Sequence, residues 1–282
     1  MNDKNYNILD EKEADNAVIQ VLQYKDLKGS SDVMTAERLY YAHESGMSLK
    51  MVRVILNNSS LRVEPGALYF MEGDLEMKST TGGGLLKGLG RKMLSDETFF
   101  VNEIHGTGQI YLEPTYGHFL LHEVVDTAEG ELIVDKGSFY AGTEVLDIST
   151  RSQKNISSAL LGGEGFFQTH IMGRGIAILY SPVPVQEIHE VTLNKSKLSV
   201  DGNFALMRTG GVTFSVEKSS KSWVSTSVSG EGLLQTFKGT GTVWVAPTQG
   251  VYEKLTTDKG IKRLSSPMKS MGTNTKNSTG KR

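Results

Sequence analysis

Cysteine is absent from all 282 residues. That removes disulfides, thiolate zinc sites and cysteine nucleophiles together, and it suits a reducing cytosol. Proline is scarce at 6 while glycine is abundant at 31, a balance that favours many tight turns between strands over long helices. No apolar run approaches the roughly 18 residues of a membrane span, so no membrane insertion is expected. Charge of one sign is missing too. Thirty basic residues meet 32 acidic ones for a net −2, which gives the body no overall bias toward nucleic acid or anionic membrane. The first fifteen residues hold Asp3, Asp10, Glu11, Glu13 and Asp15 against Lys4 and Lys12, with no apolar core region. That is the pattern of neither a secretory signal nor a mitochondrial transit peptide, and a cytoplasmic location is expected. Hydrophobic residues at 38% and charged ones at 22% are ordinary for a soluble chain of one or two domains.

What is present is a repeat. An apolar pair, a short run, Gly-x-Gly, a few strand-like residues and a proline recur three times. The copies are Phe99–Gly108 closing at Pro114, Phe166–Gly175 closing at Pro182, and Leu233–Gly241 closing at Pro247. Their leading glycines, Gly106, Gly173 and Gly239, stand 67 and then 66 positions apart by subtraction. A fixed period marks a repeat architecture. A second phrase precedes each copy: Val63-Glu64-Pro65-Gly66, Val134-Asp135-Lys136-Gly137 and Val200-Asp201-Gly202. Valine, an acid, a turn and then an aromatic or aliphatic pair describe a strand, a tight corner and another strand. Modules are therefore expected at about 55–120, 125–190 and 195–250. The paired glycines Gly106 and Gly108, Gly173 and Gly175, and Gly239 and Gly241 are expected as structural turn residues, at positive φ or at a close backbone approach.

The flanks differ. Residues 1–50 read as an extension with a strand over Val18–Tyr24 and a short helix at Ala36–His43, capped by Thr35 and stopped by Gly46. Residues 1 to about 16 are polar and expected to be loosely ordered. A strand is expected over Leu49–Leu56. The β body runs from 50 to 255. The tail over 256–282 carries Lys262, Arg263, Lys269, Lys276, Lys281 and Arg282 without an acid beyond Asp258, and disorder is expected of it.

Candidate chemistry is sparse. Gly82–Lys92 is glycine-rich beside Lys87, Arg91 and Lys92, a loop that could hold a phosphate or a lipid headgroup. Its spacing matches neither a P-loop nor a dinucleotide fingerprint, because Gly88 is followed by Leu89 and Gly90 and position 93 is Met93. A flexible loop or a close-packed subunit contact is the competing reading. His118 and His122 stand four apart, which on a strand means roughly 13 Å along one face, too far for one metal; no metal site is expected. His105 and His170 fall at near-equivalent repeat positions, but the third copy has Phe237 or Lys238 there. No Gly-x-Ser-x-Gly elbow exists, and no cofactor is expected. Trp223 and Trp244, with the phenylalanine pairs, read as core.

Gly82-Gly83-Gly84 with Gly88-Leu89, Leu94-Ser95 and the phrase ending Gly106-Thr107-Gly108 resembles the family of the altered-inheritance-of-mitochondria protein twenty-four. Gly162-Gly163-Glu164-Gly165-Phe166, Ser229-Gly230-Glu231-Gly232-Leu233 and Val63-Glu64-Pro65-Gly66-Ala67 fit as well. The likeness spans about 50–250. It implies an all-β fold of three repeated, double-stranded β-helix-like modules, similar to the tryptophan RNA-binding attenuation protein, with one or two short helices. It implies a ring-like homotrimer and no established enzyme activity. The expected function is a non-enzymatic cytoplasmic scaffold or interaction protein, with small-ligand or anion binding at Gly82–Lys92 as the alternative. Nucleic acid is not an expected partner, since the charge is balanced and aromatic and basic residues do not interleave.

Overall fold

The computed structural model describes residues 5–81, 100–125, 130–135, 137–152, 167–218 and 233–258. It begins with a hairpin, β1 (Tyr6–Ala14) and β2 (Ala17–Tyr24), paired antiparallel. Asp15 and Asn16 make the turn, both at positive φ, the geometry that matches the twist of two-residue hairpins. This corrects the expectation of a loosely ordered start. The composition of β1 is polar because most of its side chains face solvent. Its order comes from backbone pairing with β2, whose Ile19, Val21 and Leu22 are buried. Helix α1 (Val33–Glu44) follows. Its N-cap is Asp32 rather than Thr35: Thr35 N–H donates to Asp32 Oδ1 at 2.9 Å, since a carboxylate three residues upstream reaches the unpaired amide that a side chain at the position itself cannot. No residue of α1 is buried.

Three modules then repeat one plan: strand A, a corner, strand B, a long connection and strand C. The first has β3 (Lys50–Val63), β4 (Leu68–Thr81) and β5 (Phe100–Leu112). In the second every strand is broken in two: β6 (His118–Val124) and β7 (Leu132–Asp135), β8 (Phe139–Thr143) and β9 (Asp147–Ser152), β10 (Phe167–Met172) and β11 (Gly175–Ser181). The third has β12 (His189–Val200), β13 (Ala205–Thr209) with β14 (Val212–Lys218), and β15 (Leu233–Val245). A short helical turn at Val185–Glu187 and helix α2 (Gln249–Leu255) complete it. Each Val-acid phrase is the corner between A and B, and each Gly-x-Gly lies in C.

In every module C pairs antiparallel with both A and B. β5 pairs with β3 and β4; β15 pairs with β12, β13 and β14. In the middle module the two halves part company. β6, β8 and β11 join an eight-stranded sheet ordered β1-β2-β3-β8-β11-β6, with β5 attached to β3 and β4 to β5. β7, β9 and β10 join a seven-stranded sheet ordered β12-β15-β13-β7-β10-β9, with β14 attached to β15. The second module therefore ties the two sheets together.

The buried residues follow the same logic. One cluster combines Leu61 and Val63 of the first module with Ala141, Ile176 and Ile178 of the second. Another combines Leu132 and Val134 of the second with Met207 of the third, against which Trp244 packs. The cluster around Val200, Phe214 and Phe237 contains third-module residues alone.

Candidate functional site

The recurring glycines occupy the bend in strand C. Gly106, Gly173, Gly239 and Gly241 take positive φ; Gly108 and Gly175 do not, and lie against neighbouring atoms instead. A Cβ on Gly106 would sit 2.1 Å from the Asp74 carbonyl oxygen, and one on Gly239 would sit 2.2 Å from that of Gly211. Both the conformation and the space demand glycine. The threonine between the glycines has its own task. Strand A bulges opposite it, where the register slips between Leu56 and Ser59 and between Leu193 and Ser196. Asn58 and Lys195 turn left-handed there, each at φ 48. Their amides donate to the hydroxyls of Thr107 at 3.0 Å and Thr240 at 3.2 Å. The sequence signal for this bulge is Leu56-Asn57-Asn58-Ser59 and Leu193-Asn194-Lys195-Ser196.

Lys87, Arg91 and Lys92, with the rest of Gly82–Leu94, lie outside the described residues, as do Trp223 and the basic tail beyond 258. His118 and His122 sit on strand β6, opposite Ser181 and Ala177. Burial pushes both imidazoles down to about 4, and His122 meets Trp244 edge-on at 5.1 Å. His105 is exposed beside Ser60 Oγ at 3.0 Å. His170 is buried and lies 2.7 Å from Glu131 Oε1. The structure does not bring the histidines together as one site, and among the described residues no cluster of three metal-ligating side chains forms.

Among the described strands, the feature that stands out is the pair of edges left at the two ends of the module row. Neighbouring modules join by one rule: the second half of strand A pairs with the first half of the next module's strand B. Leu61, Arg62 and Val63 face Thr143, Gly142 and Ala141. Leu132, Ile133 and Val134 face Thr209, Arg208 and Met207. Arg62 also donates across the first joint to the Leu146 carbonyl. The rule leaves two ends. β4 pairs with β5 alone among the described strands, and β12 with β15 alone.

The first half of β4 shows the consequence. Tyr69, Phe70 and Met71 are 54%, 37% and 37% exposed, whereas Ala141 and Met207, at the position of Phe70, are 0% and 4%. Phe70 stacks on Tyr111 at 4.2 Å and meets the Tyr69 ring edge-on at 5.7 Å. An exposed, apolar edge with unpaired backbone groups is a template for another strand. Sequence reasoning missed it, because β4 reads like β8 and β13; what differs is the missing neighbour.

Comparison with known proteins follows the repeat. A family model described as mitochondrial biogenesis AIM24 matches residues 41–248, a span that starts inside α1 and includes all three modules. The fold is similar to the crystal structure of a Streptococcus pyogenes protein, at 21% identity and a TM-score of 0.50, over 71% of this chain and 88% of that one. At that identity the likeness concerns fold alone. None of the curated proteins matches the chain.

Proposed function

We propose, since this chain belongs to the mitochondrial biogenesis AIM24 family, that it acts as a non-enzymatic, cytoplasmic scaffold or interaction protein assembled as a homotrimer. The observation that carries this reading is the edge of β4. One structural position is covered by a preceding strand A in the second and third modules and is bare in the first. A row of modules that grows by a single rule has two open ends. Copies joined head to tail close those ends if the rotation returns to its start, and three copies make a ring of nine modules. A body organised by repeated packing, with chemistry-bearing side chains scattered over it, supports a role in assembly over one in turnover.

Light scattering after size exclusion tests the trimer. The expected mass is three times the 30.8 kDa of one chain. A monodisperse monomer at micromolar concentration overturns the proposal, and turnover in a broad hydrolase screen overturns its non-enzymatic part.

A further inference from the structure

The module rule names the partner strand and its register. We infer that residues Leu198–Val200 of one copy pair antiparallel with Phe70–Glu72 of a second copy, Val200 opposite Phe70, Ser199 opposite Met71 and Leu198 opposite Glu72. This rests on the homo-oligomer reading and goes beyond it by assigning the contact.

The register follows from three alignments made by the strands themselves. In strand A, Val63, Val134 and Val200 face Asn102, Thr169 and Gln235 of strand C, each four residues before the leading glycine. In strand B, Phe70, Ala141 and Met207 face Tyr111, Ile178 and Trp244, each three residues after the second glycine. All three B strands also slip register at one place, beside Tyr69, Tyr140 and Leu206. The positions are equivalent, and both existing joints set the valine of A against that residue of B.

The cores agree with this pairing. Leu61 and Val63 share a cluster with Ala141, and Leu132 and Val134 share one with Met207. Val200, with Leu198 packed nearby, has no B strand of a following module in its cluster. Among the described residues Phe70 has no strand A beside it; it stacks on Tyr111, which belongs to the cluster of Tyr6, Leu22 and Met51. Each end lacks what the other offers. Among the described strands the two edges do not pair with each other, and a second copy offers each edge its complement. Burying Tyr69, Phe70 and Met71 while pairing an open edge is favourable on both counts.

The cysteine-free chain makes the test direct. Ser199→Cys and Met71→Cys are introduced together at two exposed positions, and the full-length protein is treated with an oxidant or a short bismaleimide. Directly opposite residues have Cβ atoms roughly 5 Å apart, so a covalent ladder ending at the trimer is expected. Mixing the two single variants yields cross-linked dimers only, and Ser199→Cys with Asp74→Cys links poorly. Absence of any link while light scattering still reports an oligomer overturns this pairing and leaves the homo-oligomer standing. Absence of a link with a monomer mass overturns both. A link formed only within one chain overturns the inference, because the edges then close on themselves. Hydrogen exchange on the unmodified protein gives an independent reading: amides of 69–72 are protected like those of 140–143, and fast exchange at 69–72 in the intact oligomer overturns the inference.

Discussion

Replacing Gly106 by alanine isolates what the recurring glycines contribute. Two penalties act there. The backbone is held at φ 134, a region that costs a non-glycine residue about 1–3 kcal/mol. The new methyl would also stand 2.1 Å from the Asp74 carbonyl oxygen and 3.2 Å from the Leu75 Cα. Both atoms are backbone in a paired strand, so no side chain can swing aside, and such overpacking adds about 1–3 kcal/mol. The total is about 4 kcal/mol. Gly66 provides the control in the same module. Its φ is 91, and a Cβ there meets nothing within 4 Å, so only the conformational penalty of about 1–2 kcal/mol remains. A chain of this size moves by about 2–4 °C per kcal/mol. Differential scanning fluorimetry at neutral pH should therefore place Gly106→Ala about 10 °C below the parent and Gly66→Ala about 4 °C below. Gly239→Ala should follow Gly106→Ala, because its methyl meets the Gly211 carbonyl in the same way. If Gly106→Ala melts no lower than Gly66→Ala, the assignment of the Gly-x-Gly phrase to an obligatory bend is wrong.

Other outcomes follow from the same geometry. Thr107→Val and Thr240→Val remove the acceptor for the bulge amides of Asn58 and Lys195; each should cost about 1 kcal/mol in urea titrations while Thr→Ser stays near the parent, and equal behaviour of Val and Ser would refute the role. His122 is held neutral because burial lowers its folded value from the ordinary 6.5 to about 4, so its contribution is complete above about pH 6.5 and is lost as pH falls toward 4. His122→Phe, which keeps an aromatic edge against Trp244, should flatten that acid loss, and an unchanged pH profile would count against it. Asp135 has the opposite sign. Burial pushes its carboxyl up to about 6 from 3.8, so its contribution is present below about pH 4 and lost as pH rises through 6. Asp135→Asn should gain on the order of 2 kcal/mol over the parent at pH 7.5 and much less at pH 4; a variant less stable than the parent at pH 7.5 would show that the carboxylate's attraction to Arg208 outweighs its desolvation.

The residues by themselves determined the period, the three corners and the three bends. A Val-acid-turn phrase and a Gly-x-Gly phrase are local instructions, because a corner or a positive φ is satisfied within a few residues of chain. They were enough for the all-β, three-module fold and for its family. Tertiary structure decided which backbone meets which. The polar β1 became a strand because β2 offered it hydrogen bonds, and no side chain announces such a partner. The middle module divides between two sheets, although its phrases read like those of its neighbours. Phe70 and Met71 would be unremarkable members of a strand B if a strand A lay beside them, as one lies beside Ala141 and Met207. The residue pattern of an edge strand and a covered strand can be the same, because pairing is a property of main-chain groups that every residue carries; position at the end of the row alone leaves that edge open.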